Sequence, residues 1–190
     1  MNNLILPAKP IKAAMYYMAK MDVRYYLNGV HINPKGYIEA TNGHCAIRVK
    51  CEEAKQYEST IVRIDGSIPT PSELIYINID DVGSGYCYFE KAIGGYVESN
   101  GIRKTLGVLE IEGNFPDLDK IAKSIDPSPL INIGFNPDYI ALAGKAQRAL
   151  GSSFPVVKAV MSAKDKAIRL DFVNLSYEAY SLVMPAKYEG

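Results

Sequence analysis

The chain has 190 residues, 48% of them hydrophobic, and its 21 lysines and arginines balance its 21 aspartates and glutamates. That length and apolar content suffice for a buried core in one large domain or two small ones, which excludes global disorder. No run of about 18 apolar residues is present, and the start, Met1-Asn2-Asn3-Leu4-Ile5-Leu6-Pro7, lacks the basic segment and long apolar core of a secretory leader, so the expectation is a cytoplasmic protein without membrane contact.

The zero net charge conceals a segregation along the chain. Residues 1–50 carry seven Lys/Arg against two acids, residues 51–128 carry seven against fourteen, and residues 129–190 carry seven against five. Basic ends around an acidic middle can present one positive face to phosphates while the remaining surface stays negative, because local field rather than net charge governs such an encounter.

In chain order, Leu4-Ile5-Leu6 suits a leading strand and residues 7–20 a first helix, with Pro10 tolerated in its first turn. Ile11, Met15 and Met18 share one apolar stripe of that helix, and Lys9, Lys12, Tyr16 and Lys20 share another, so it has a core face and a basic face. A three-strand meander follows at Val23–Leu27, Tyr37–Thr41 and Cys45–Lys50, with turns at Asn28-Gly29, Pro34-Lys35-Gly36 and Asn42-Gly43. The middle of the chain reads as all β, with strands at Thr60–Ile64, Leu74–Ile79, Tyr86–Phe89, Gly95–Val97 and Leu106–Ile111 and no helical period. Asn114-Phe115-Pro116-Asp117-Leu118-Asp119 breaks this pattern as a connector. The last third repeats the outline of the first: a strand at Leu130–Gly134, Asn136 as helix cap with Pro137 behind it, a helix over Asp138–Leu150 ended by Gly151, and strands at Val156–Met161, Ala167–Phe172 and Tyr177–Met184. Ala141, Lys145 and Arg148 share a face of this second helix, so its exposed side is also basic. The fold class expected is α+β, with helix-plus-meander units at 1–58 and 129–190 around a β-rich middle with its connector at 59–128.

The three cysteines, Cys45, Cys51 and Cys87, lack metal-ligand spacing and sit among β-branched and aromatic residues, which suits reduced buried thiols and no zinc site. His44 and Cys45 are adjacent in a strand, where successive side chains point to opposite faces, so they make a poor nucleophile pair. No P-loop, dinucleotide glycine fingerprint or paired-carboxylate motif is present. The expectation is a protein that is not an enzyme and uses no cofactor.

Four separated segments resemble, in the same order, the bacterial DNA polymerase III beta subunit, the sliding clamp. They are Asp22-Val23-Arg24-Tyr25-Tyr26-Leu27-Asn28-Gly29 with Thr41-Asn42-Gly43-His44, then Gly113-Asn114-Phe115-Pro116-Asp117, then Gly134-Phe135-Asn136-Pro137-Asp138-Tyr139, and last Tyr180-Ser181-Leu182-Val183-Met184-Pro185. Their shared order is more specific than any one motif. The resemblance is to a shortened, phage- or mobile-element-like version: the family's whole first domain is absent, the connector is followed almost at once by the final unit, and the middle shows no helix where the family has one.

The resemblance implies the DNA-clamp fold, with βαβββ units whose helices lie on one face of antiparallel sheets. It also implies a homo-oligomeric ring around double-stranded DNA, held without sequence specificity, and a pocket for hydrophobic peptides of DNA polymerases and clamp loaders. Carried over by position, the peptide-binding residues are Leu27, Thr41, Gly43, His44, Pro116, Asn136, Tyr139, Met184 and Pro185. Lys9, Lys12, Lys20, Arg24, Lys145 and Arg148 are the candidates for DNA phosphates, reached through water rather than through bases. Cys45 and Ala46 stand where the family usually has Arg and Leu, and Ala186-Lys187-Tyr188 continue past Pro185. An alternative from another class is a clamp-derived protein that keeps the pocket, forms no ring, and regulates or competes for a host's replication machinery.

Overall fold

Alternating burial along the strands organises the molecule, a computed structural model that describes residues 2–70, 72–90, 92–93, 96–97, 105–123, 134–161 and 166–186. β1 (Asn2–Pro7) buries Leu4 and Leu6 and turns Ile5 outward, then runs directly into α1 (Ala8–Met15). The helix buries Ala8, Pro10, Ile11, Ala13 and Ala14, small residues that let it lie close on the sheet. It is shorter than the expected 7–20. Beyond Met15 the chain enters turns in which Tyr17 N–H bonds the Ala14 carbonyl, Ala19 N–H bonds the Leu27 carbonyl at 2.9 Å, and Met21 adopts φ 59°.

The strand expected at Val23–Leu27 is instead a clasped loop ending in a 3-10 turn, Tyr25–Leu27. Asp22 N–H donates to Asn28 Oδ1 and Asn28 Nδ2 donates to the Asp22 carbonyl, both at 2.9 Å, and side-chain bonds of this kind compete with a ladder for the same backbone. Val23 and Tyr25 project into solvent and only Leu27 is buried. The first strand of the meander is β2 (Val30–Asn33), paired with β3 (Tyr37–Thr41), which pairs with β4 (Cys45–Lys50).

The expected middle strands are present as β5 (Thr60–Asp65), β6 (Leu74–Ile79), β7 (Ser84–Glu90) and β10 (Thr105–Glu110), with the small hairpin β8 (Ala92–Ile93) and β9 (Tyr96–Val97) between the last two. The connector, expected to be irregular, carries a short helix, α2 (Leu118–Lys123). Asp117 Oδ1 accepts from the backbone N–H of Asp119 at 2.9 Å and of Lys120 at 3.2 Å, which makes Asp117 its N-terminal cap. In the last third, α3 (Pro137–Ala149) is capped by Asn136, whose Oδ1 accepts from Asp138 N–H, and Gly151 at φ 100° ends it. β11 (Val156–Val160), β12 (Ile168–Val173) and β13 (Ala179–Val183) form the final meander. The strand expected at Leu130–Gly134 lies, except for Gly134, outside the described residues. Gly134 itself bridges Ala186.

Among the described residues, eleven strands join in one antiparallel sheet in the order β1-β6-β7-β10-β5-β2-β3-β4-β13-β12-β11. Two features of this order escaped the sequence. β1 does not pair with its own meander but with β6, at the far end of the sheet. β4 pairs with β13, from Cys45↔Val183 to Val49↔Ala179, so the first and last units are neighbours in space and the middle strands extend away from them.

α1 and α3 pack on each other and on one face of the sheet, and the main core lies beneath them, including Ile38, Ile47, Val49, Leu170 and Val183. Among the described residues no helix is long and apolar enough to cross a membrane. A second, smaller core occupies the opposite face under α2: Ala46, Leu118, Ala167 and Leu182, with Phe115 and Tyr180 against them. Residues at alternate positions of β4 and β13 therefore feed two separate cores, and α2 is the lid of the second.

Candidate functional site

The Thr41–Cys45 turn is built by its own side chains. The Thr41 hydroxyl donates to the Cys45 carbonyl and accepts from Gly43 N–H, while Asn42 Oδ1 accepts from the N–H groups of His44 and Cys45. Gly43 supplies the φ of 86° that the turn requires, and the Arg24 guanidinium lies against it, 2.7 Å from where a side chain would begin. Asp22 fixes that guanidinium through two side-chain hydrogen bonds, at 3.0 and 2.9 Å. The hydrogen bond from Arg24 is the main reason the Asp22 carboxyl is held down to about 2.

Beside this turn, on the face under α2, is a small apolar depression of about 60 Å³. Thr41, Gly43, His44, Cys45 and Ala46 form one wall, Leu182 and Met184 a second, and Ile121 of α2 with Ala167 close it. Met184 N–H bonds the His44 carbonyl at 2.9 Å, fixing two walls to each other. The His44 ring stacks on Tyr139 of α3 at 5.7 Å and 9°, which brings the start of the last helix to the rim.

Of the nine residues expected at a peptide pocket, Thr41, Gly43, His44 and Met184 line this depression, and Tyr139 joins them through His44. Leu27 is fully buried and Asn136 is the cap of α3. Pro116 lines a different cavity, with His31, Glu39, Arg48 and Asp119, and Pro185 is half-buried beside Met184. The nine expected residues did not include Cys45, Ala46, Ile121, Ala167 or Leu182, which also line the depression. Ala46 and Leu182 were discoverable from strand alternation, since each lies between two core-facing neighbours and must point to the other face. Ile121 was hidden because its helix was not foreseen.

α2 is held in place by a buried ionic network. Arg48, on β4, donates through Nε to Glu39 Oε1 and through a terminal nitrogen to Asp119 of α2. Glu39 Oε2 meets His31 Nδ1 at 2.9 Å and Asn33 Nδ2 at 3.0 Å, and His31 Nε2 lies 2.9 Å from the Ser59 hydroxyl. A His31 protonated on Nδ1 satisfies both of its contacts. Phe115 of the connector stacks on the His31 ring at 4.6 Å, and Lys35 pairs with Asp119 at 3.1 Å. Burial pushes the Glu39 carboxyl up, but its hydrogen bond to His31 and the Arg48 charge outweigh burial and leave it below its ordinary value. The hydrogen bond from Arg48 likewise holds Asp119 down. For Arg48, burial works against the charge, and Glu39 and Asp119 together more than compensate.

On the helix face, Lys9 and Lys12 of α1 are half-buried and Lys145 and Arg148 of α3 are exposed. Lys9 Nζ lies 4.0 Å from the side-chain position of Gly151, at the end of α3, where helix carbonyls favour a cation. Lys12 bonds the Thr70 hydroxyl. These four cations belong to the two helices that cover one face of the sheet; Lys20 lies past the end of α1, and Arg24 lies against the turn described above. The cysteines are buried, and burial raises their thiols to about 11 for Cys45 and Cys87 and about 12 for Cys51. Among the described residues no cluster of three or more His, Cys, Asp or Glu side chains is placed to hold a metal ion.

Neither a family model nor a curated protein matches the sequence. The fold does resemble many solved structures, DNA polymerase sliding clamps among them. The clamp of Pseudomonas aeruginosa superposes with a TM-score of 0.59 at 14% identity, over 98% of this chain and 66% of that one. The beta subunit of Streptococcus pyogenes DNA polymerase gives 0.59 at 15%, over 99% and 66%, and the sliding clamp of Bacillus subtilis gives 0.58 at 13%, over 99% and 65%. The chain thus has the sliding-clamp fold, α+β as expected, and spans about two thirds of the length of those clamps.

Proposed function

We propose that this clamp-folded chain is a non-enzymatic processivity factor that encircles DNA as an oligomer and tethers a polymerase through a hydrophobic peptide. The observation that carries the reading is the apolar depression at the junction of β4, β13 and α2, walled by Thr41, Gly43, His44 and Met184. Apolar walls with a rigid polar turn at one end suit a Leu- or Phe-bearing peptide, since burial supplies affinity and the turn fixes register. Burying one such side chain is worth about 1.5–3 kcal/mol. The small side chain of Ala46, where the family usually has Leu, shapes the pocket for a preference of its own. Lys9, Lys12, Lys145 and Arg148, on the two helices that cover one face of the sheet, support the DNA part of the reading, because cations there can meet phosphates without base contacts.

A labelled peptide with a Leu-Phe anchor tests the pocket. The parent should bind it saturably, and Met184→Asp or Ile121→Asp, both at partly exposed positions, should reduce binding at least tenfold while leaving thermal unfolding in place. Equal binding by parent and variants would refute the assignment.

One observation favours the second reading, a clamp-derived protein that forms no ring. At the outer side of β1, the Tyr57 hydroxyl bonds both the N–H of Ile5, at 2.9 Å, and its carbonyl, at 3.2 Å, occupying groups that a neighbouring copy's strand would need. Mass in solution separates the readings: a ring requires several copies, whereas a monomer at working concentration leaves only the second.

A further inference from the structure

Next to the apolar depression, on the same face of the sheet, lies a larger cleft of about 370 Å³ lined by Tyr37, Arg48, Lys123, Arg169 and Tyr180 together with the acids Asp119 and Glu178. The two are consecutive rows of one surface. β4 contributes Ala46 to the first and Arg48 to the second, β13 contributes Leu182 and then Tyr180, and α2 contributes Ile121 and then Lys123. Residues two apart on a strand are separated by about 7 Å, so an extended peptide passes from one row to the other in two residues.

Cationic groups in the cleft are held rigidly and retain unused donors. The Arg48 guanidinium lies over the Tyr37 ring at 4.7 Å and that of Arg169 over the Tyr180 ring at 4.4 Å. Among the described residues, Arg48, which is buried, uses Nε and one terminal nitrogen, and Arg169 uses only Nε, toward Asp171 at 2.6 Å. Among the described residues the other terminal nitrogens, the Lys123 ammonium and the hydroxyls of Tyr37 and Tyr180 make no hydrogen bond. The neighbouring acids are already paired: Asp119 with Arg48 and Lys35, Glu178 with Lys50, Asp171 with Arg169. An anion entering the cleft therefore meets neutralised acids and open donors.

We infer that this cleft receives a carboxylate carried by the same peptide whose apolar side chain fills the depression, placed about two residues from that anchor. The inference rests on the peptide reading above and adds an acidic specificity to it. Charge-assisted bonds from a preformed guanidinium are the strong kind, and planar forks suit a carboxylate.

The test uses the full chain and two labelled peptides with the same Leu-Phe anchor, one with Asp or Glu two residues to either side and one with Asn or Gln there. The acidic peptide should bind about tenfold tighter at low salt, with the advantage shrinking as salt rises. Arg169→Gln and Lys123→Gln should each erode that advantage while leaving the neutral peptide's affinity unchanged. Equal binding of the two peptides by the parent overturns the carboxylate site and leaves the apolar pocket standing. Failure of both peptides to bind overturns the pocket and the cleft with it.

Discussion

Glu39→Gln is the most informative perturbation of the framework, because it removes one charge from the buried network without changing shape. Glu39 is 0% exposed and Arg48 is 5% exposed. In the parent, Glu39 answers Arg48, His31 and Asn33 at once; in the variant, Arg48 keeps only Asp119, which sits partly in solvent. Breaking a buried pair by removing one partner costs about 3–5 kcal/mol. For a chain of this size that corresponds to a fall in melting temperature of roughly 6–20 °C.

The pH dependence carries a sign as well. Glu39 and Asp119 both have folded-state values below their ordinary 4.5 and 3.8, so their contribution is fully present above about pH 4.5 and is lost as pH falls through the depressed values. Thermal unfolding of the parent from pH 7 down to pH 3 should show that loss, and Glu39→Gln should show a shallower one from a lower starting point. The paired change Glu39→Leu with Arg48→Met should recover much of the stability, since apolar replacement of both partners relieves the burial of charge. A Glu39→Gln variant within 1 kcal/mol of the parent, with an unchanged acid profile, would refute the network's role in holding α2.

Further outcomes follow from the same geometry. Charge reversal of Lys12, Lys145 and Arg148 together should weaken DNA association and flatten its dependence on salt, measured by filter binding across a salt series; a parental slope would remove these residues from the DNA face. Gly43→Ala should cost about 1–2 kcal/mol in chemical denaturation, because it places a side chain at φ 86°, and should displace Arg24 from the turn; an unchanged midpoint would deny that strain. Cys45, Cys51 and Cys87 should resist a thiol reagent at pH 8 in the folded protein and all react after unfolding, since burial keeps each thiol protonated; prompt labelling of any one while folded would contradict its burial.

What the sequence disclosed followed from local pattern. Strands such as β6 and β12 were legible because inward and outward residues alternate along them, as in Ile168, Leu170 and Phe172 of β12. Asn136 and Gly151 marked α3 for the same local reason. The loop at Val23–Leu27 misled because its β-branched and aromatic residues mimic a strand, whereas the clasp between Asp22 and Asn28 decides its shape. α2 was obscured by its brevity, although Asp117 carried a capping signal.

The site was half legible. Thr41, Gly43, His44 and Met184 were in place, but the wall from α2 and the pairing of β4 with β13 depend on contacts between residues far apart in the chain, more than a hundred positions in the case of the two strands. Nothing in the local pattern sets Glu39 and Arg48 apart from other strand charges. Their burial is visible only when the connector is laid over them.

The claim that most needs measurement is that the chain encircles DNA. The protein should be assembled on a nicked circular duplex at physiological salt and passed through gel filtration before and after a single restriction cut. Retention on the circle and loss from the cut molecule is the result expected of a ring. Equal behaviour on both forms, whether bound or free, would contradict encirclement.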